Sequence, residues 1–168
     1  VSTAAPADGL ARFTALAARH RIVPVWRELV ADTLTPVAAF LQIVGTGDRS
    51  GFLLESVEGG ERWGRYSFIG REPIASLRSS SGELSHSAEA PLAALDGLEG
   101  ASGVLEAVER LIAGTTVAER PGLPPLHSGL VGYLGYDVVR EVERLPNVPR
   151  DDRQMPDAIM SIIGSLAA

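Results

Sequence analysis

Few residues in this sequence could do chemistry, and they are scattered. His20, His86 and His127 are its only histidines, with no His-x-His, no glutamate beside a histidine pair and no Gly-x-Ser-x-Gly elbow. Each reads as a structural or surface histidine. Asp151-Asp152 with Asp157 offers carboxylates to a magnesium ion, but they stand in a proline-rich stretch without a ligand pattern, and a solvated loop is the better reading. Gly45-Thr-Gly47 lacks the lysine and the strand-to-helix switch of a phosphate loop. All 15 basic residues are Arg and Cys is absent. That excludes Schiff-base chemistry, a P-loop, a thiolate nucleophile and disulfides.

Glu55 is the informative residue. In a strand through Phe52-Leu-Leu-Glu-Ser-Val57, Leu54 and Ser56 point to one face while Leu53, Glu55 and Val57 point to the other. A carboxylate between two aliphatic neighbours needs a partner. Arg62, Arg65 or backbone amides across a hairpin could supply one. Alternatively the carboxylate is held for a cationic group such as a ligand ammonium, where a charge-assisted hydrogen bond contributes roughly 1.5–3 kcal/mol.

The elements that must position this strand follow from periodicity and punctuation. Leu10, Phe13, Leu16 and Ala17 predict an amphipathic helix over 8–20 behind an Asp8 cap, and 22–29 reads as a strand. Thr35-Pro36 starts a second helix that ends near Gly45. Residues 52–57 and 63–69 predict one hairpin, and 74–78 with 83–86 a second around 79–82. The Ala-, Gly- and acid-rich stretch 87–103 is expected to be an exposed connection. Val104, Leu105, Val108, Leu111 and Ile112 form a helical stripe with Ser102 near its cap and Gly114 at its stop. Gly129, Gly132 and Gly135 interrupt a strand over 128–136 and imply bends or a close backbone approach. Asp137 is expected to cap a short helix to Glu143, before a final strand over 158–168. Helices and strands do not alternate as in a βαβ array, so the expected fold class is α+β, mostly antiparallel sheet with flanking helices.

Composition narrows the partners. The chain has 168 residues and a net charge of −6 with dispersed arginines, which argues against nucleic acid. No apolar run approaches the roughly 20 residues that span a bilayer, so no membrane role is expected and the cytoplasm is the expected compartment. One packed domain of this size would bury about 70% of its unfolded surface. Yet Ala158–Ala168 is an apolar run without a polar tail, and an unprotected strand invites aggregation. The chain is therefore expected to be a fragment, in keeping with Val1 in place of Met.

Leu53-Leu-Glu-Ser56 and the following Glu58-Gly-Gly-Glu-Arg-Trp-Gly-Arg-Tyr-Ser-Phe-Ile-Gly70 closely resemble the N-terminal domain of anthranilate synthase component I. Val23-Pro-Val-Trp-Arg-Glu28, Thr35-Pro-Val37, Gly129-Leu-Val-Gly-Tyr-Leu-Gly-Tyr-Asp137, Glu143-Arg-Leu-Pro146 and Pro156-Asp157 extend the likeness over nearly the whole chain. The resemblance implies a parent enzyme that converts chorismate and ammonia to anthranilate and pyruvate with magnesium, in tryptophan biosynthesis. It also implies a glutamine amidotransferase component II as partner. Residues 1–168 would be the N-terminal domain. The catalytic and magnesium residues would lie in a C-terminal chorismate-binding domain outside this chain, leaving the segment alone inactive. What carries over is one side of a tryptophan feedback site: Glu55 facing the ammonium, Ser56 supplying a hydrogen bond, Leu54 walling the indole, and Arg65 or Tyr66 closing the pocket. Aminodeoxychorismate synthase component I, of the same superfamily, and a free-standing ligand-binding module are the alternative readings.

Overall fold

The computed structural model describes residues 9–47, 49–55, 66–90 and 92–168. In chain order the elements are α1 (Gly9–Ala17), α2 (Pro36–Ile43), β1 (Gly51–Glu55), β2 (Ser67–Arg71), β3 (Ala75–Ser80), β4 (Glu83–Ala88) and α3 (Val104–Ala113). There follow β5 (Leu130–Leu134), a 3-10 turn over Tyr136–Glu141, β6 (Ala158–Ile162) and β7 (Ser165–Ala167). Every strand pairing is antiparallel, in two sheets ordered β1-β2-β7 and β4-β3-β6-β5. The fold is α+β, as expected.

The four-stranded sheet holds the core. Ala75 and Leu77 of β3 and Ile162 of β6 pack with Ala107 and Leu111 of α3, while Val104, Val138 and Ala158 form an adjoining cluster. Leu95 and Leu98 complete the first cluster, which corrects the expectation that 87–103 is merely an exposed connection. Leu92, Leu95 and Leu98 recur every third residue, and tight turns from Leu95 N–H to Leu92 O and Leu98 N–H to Leu95 O aim two of them inward. On α3 the buried face is Val104, Ala107 and Leu111, whereas Ile112, expected on the stripe, is 59% exposed. It lies about 100° further round the helix than Leu111, off the buried face.

Local signals explain several ends. Thr35 Oγ1 accepts from Ala38 N–H and Pro36 opens α2, as its sequence predicts. The β3–β4 hairpin turns on Ser81-Gly82, both with positive φ, so β3 runs two residues further toward the turn than expected. The close approach expected of the glycine strand is present. A side chain at Gly132 would fall on the Ile159 carbonyl, and one at Gly135 would lie 2.8 Å from Asp157 O. Gly135, not Asp137, caps the 3-10 turn, because the Asp137 carboxylate pairs with Arg140 instead. Ser102 lies next to the cap of α3, as expected. Gly103 is the N-cap residue, and the Glu141 carboxylate accepts from Val104 and Leu105 N–H, each at 2.9 Å.

The predicted strand over 22–29 is reduced to one bridge, Ile22 with Val117. Pro24 removes a ladder donor, and Val25, Leu29 and Val30 are exposed. The segment is tied down by Arg21 and Ile22 N–H to Thr116 O, and by the Arg120 guanidinium 5.3 Å from the Trp26 ring centre. The final strand likewise divides, with β6 in one sheet and β7 in the other.

Candidate functional site

Glu55 ends β1, at the edge of the three-stranded sheet. The β1–β2 register places Leu53 opposite Ile69, Leu54 opposite Phe68 and Glu55 opposite Ser67. Alternation then puts Leu53, Glu55, Ile69 and Arg71 on one face and Phe52, Leu54, Phe68 and Gly70 on the other. The expected separation of Leu54 from Glu55 is present: they flank the same strand edge from opposite sides. Any ligand touching both must wrap that edge.

The two faces differ in character. The Glu55 face is backed by α2, whose C-cap Val44 is buried and would lie 2.7 Å from a Cβ placed on Gly51. Arg71, on the same face, donates to the Ile43 carbonyl at 3.3 Å and to the Glu72 carboxylate at 2.9 Å. The Glu55 side chain is exposed, and among the described residues its carboxylate has neither hydrogen bond nor ion pair. The Leu54 face is aromatic. The Phe52 ring lies across Gly70, where any side chain would collide with it, and the Tyr66 and Phe68 rings pack at 5.9 Å. Leu54 is 44% exposed while Tyr66 and Phe68 are half-buried. Ser56, Arg65 and the alternative partner Arg62 lie outside the described residues.

The remaining chemistry-bearing groups fall elsewhere. His127 Nδ1 is 3.0 Å from Pro124 O, and His86 stands on β4 opposite Leu77. Asp151 accepts from Arg153 and Gln154 N–H and so braces its own loop. Among the described residues no group of three His, Cys, Asp or Glu could hold a metal ion, and no step is assigned to magnesium here. No helix among them is long and apolar enough to cross a membrane. Two shallow depressions of about 220 and 330 Å³ lie along Ser76, Arg78, Ser85 and Ser87 on the outer face of the larger sheet, away from Glu55.

Glu106 is a carboxylate that sequence reading overlooked. Ser102 donates to it through both its hydroxyl and its N–H, and Arg110 pairs with it one turn on. The Ser102 hydroxyl, then its N–H, then Arg110 hold the Glu106 carboxyl down at about 2. It locks the first turn of α3 and faces no candidate ligand site. The serine–glutamate spacing at a helix start was the available signal.

The two antiparallel sheets with flanking helices define an α+β domain whose smaller sheet carries an exposed carboxylate on an edge strand. No protein-family profile matches the chain, but individual relatives do. It is 38% identical over 157 residues to anthranilate synthase component 1 of Mycolicibacterium smegmatis, covering 93% of this chain and 29% of the relative. The counterpart from Arthrobacter globiformis is 35% identical over 159 residues, with 95% and 29% covered. That from Streptomyces coelicolor is 40% identical over 132 residues, with 79% and 21% covered. The chain belongs to the anthranilate synthase component 1 family, and spans under a third of the length of these relatives.

Proposed function

We propose that this chain is the regulatory and scaffold part of an anthranilate synthase component 1, carrying one side of a tryptophan feedback site. The parent enzyme converts chorismate and ammonia, or glutamine, to anthranilate and pyruvate in tryptophan biosynthesis. Its C-terminal chorismate-binding domain supplies the catalytic and magnesium residues, and a glutamine amidotransferase component II delivers the ammonia. The segment alone has no lyase activity.

The observation that carries the regulatory reading is the exposed Glu55 carboxylate, unpaired among the described residues, beside the open aromatic edge of Leu54, Tyr66 and Phe68. An amino acid with a cationic ammonium and a flat apolar side chain matches those two surfaces. Glu55 binds the ammonium, Leu54 and Tyr66 meet the indole, and Ser56 and Arg65 hydrogen-bond the remaining polar groups. Because Leu54 and Glu55 flank the strand from opposite sides, tryptophan lies across the β1 edge, and the rest of its pocket comes from the parent enzyme. Inhibition is then a coupling free energy of about 1–3 kcal/mol between this site and the catalytic one.

Ser56→Phe in the full-length enzyme tests this directly. Filling the pocket abolishes inhibition by tryptophan and leaves uninhibited turnover nearly intact, as read by anthranilate fluorescence against tryptophan concentration. An unchanged inhibition curve would sink the assignment.

A further inference from the structure

Residues 67–80 and 158–167 form one long antiparallel ribbon, bent in the middle. Its ladder runs from Ser79–Ala158 to Ala75–Ile162 in the four-stranded sheet, and resumes from Arg71–Ser165 to Ile69–Ala167 in the three-stranded one. Between these stretches, Glu72, Pro73 and Ile74 oppose only Ile163 and Gly164. One extra residue on one strand is a β-bulge, which bends the strand and sharpens its twist. It is the device by which strands pass from one sheet to another.

Several contacts hold the corner at its angle. Glu72 takes a φ of +49°, in the left-handed region. Pro73 has no N–H to leave unpaired, and Ile74 N–H donates to Ile162 O at 3.1 Å. A Cβ on Gly164 would come within 2.6 Å of Ile74 Cγ2 and 3.3 Å of Glu72 O, so the bend closes only around a glycine. The corner is also wired to the candidate site. Glu72 N–H donates to Ser50 O, the residue before β1. Arg71 joins the Glu72 carboxylate to the Ile43 carbonyl at the end of α2, the helix behind β1 and β2.

We propose that this bulged corner is the coupling element that passes the state of the β1 edge to the four-stranded sheet. The inference rests on the tryptophan-site reading above and adds the route to it. A ligand seated at Glu55 favours one position of β1, Ser50 and Arg71 transmit that position to Glu72, and the bend between the sheets follows. Packed junctions of this kind have discrete arrangements and do not deform smoothly, so a small displacement is carried onward.

The test uses the full-length enzyme with Gly164→Ala and, as a milder change that keeps the glycine, Arg71→Gln. Tryptophan affinity is measured by calorimetry and the half-inhibitory concentration by turnover. Inter-site coupling is typically ~5–150-fold, so the expected result is a half-inhibitory concentration raised about tenfold or more, with affinity and uninhibited turnover within about threefold. If Gly164→Ala fails to fold, Arg71→Gln decides alone. A half-inhibitory concentration that stays at the parent value, or rises only in step with the dissociation constant, overturns the corner as the coupling element. Absence of tryptophan binding to the unsubstituted enzyme overturns the site itself, a result visible before any substitution is made.

Discussion

The two sheets are joined through a single ribbon, and each has a helix on one face, yet they differ in what the other face exposes. The four-stranded sheet has α3 and the Leu95–Leu98 turns across one face, and Leu77, Val104 and Ala107 beneath them are fully buried. Among the described residues the three-stranded sheet has α2 on one face, and its other face leaves Leu54 exposed and Phe52, Phe68 and Leu166 half-buried. On the four-stranded sheet the uncovered face is polar, with Ser76, Arg78 and Ser161, whereas on the three-stranded sheet it is apolar. What separates them is the chemistry of the uncovered face, and the candidate ligand edge is on the sheet whose uncovered face is apolar.

Stability should divide along the same line, and the largest effect is expected at Leu77. Leu77→Ala removes a side chain with no exposure and should cost about 2–5 kcal/mol. Leu54→Ala, on the open face, should stay within about 0.5 kcal/mol. Urea denaturation of the two variants compares them, and equal losses would break the distinction between the halves. Gly132→Ala should come next. Its added methyl meets the Ile159 carbonyl, which is held in the β5–β6 ladder and cannot yield, so a cost of about 1–3 kcal/mol is expected. Gly70→Ala meets only the Phe52 ring, which can swing toward the open side. Its cost should be the smaller of the two, and a reversal would show that the aromatic face is more constrained than its exposure suggests.

Where the sequence was legible, the information was local. Thr35-Pro36 marks the start of α2, paired short strands mark both hairpins, and glycine spacing marks the tight β5–β6 approach. Features that depend on distant partners were hidden. The cap of α3 comes from Glu141, 37 positions along the chain from Val104, and no short-range pattern announces it. The division of the last strand depends on a bulge whose two sides are about 90 residues apart. Leu95 and Leu98 sit in a stretch whose average composition is that of a loop, and only their spacing of three signals burial. At the site, the sequence placed Glu55 and Leu54 on opposite faces correctly. It could not say that the Glu55 face would be backed by α2 and the Leu54 face left open, because that depends on packing.

The Glu141 cap offers a test of intermediate size within the closed half. Glu141→Ala strands the Val104 and Leu105 N–H groups and should cost about 0.5–2 kcal/mol, the range for losing a helix cap. Glu141→Gln keeps one acceptor oxygen and should recover part of the loss. Because Gly103 has no room for a side chain beside the Glu141 carboxylate, Gly103→Ala should displace the cap and reproduce the Glu141→Ala effect. If Gly103→Ala were neutral in thermal denaturation, the carboxylate would not be seated on the helix start in solution.

The smallest expected effect belongs to pH, and it contrasts two carboxylates of the two halves. Glu106 is held at about 2, against 4.5 for an ordinary glutamate, by the Ser102 hydroxyl first, then the Ser102 N–H and Arg110. A carboxyl whose folded value is depressed adds stability that is present above the unfolded value, near 4.5, and is lost as pH falls toward about 2. The first turn of α3 should therefore loosen over that window while the rest of the helix persists. A carboxyl-detected NMR titration should find the Glu106 midpoint near 2, and Ser102→Ala should raise it more than Arg110→Gln, since the serine hydroxyl supplies the largest contribution, while the N–H of residue 102 remains in the variant. A Glu106 midpoint at the ordinary 4.5 would mean that the Ser102 bonds are not populated. Glu55, lacking a partner among the described residues, should respond to added tryptophan in the full-length enzyme where Glu106 does not. That differential response ties the open half, and not the closed one, to the ligand.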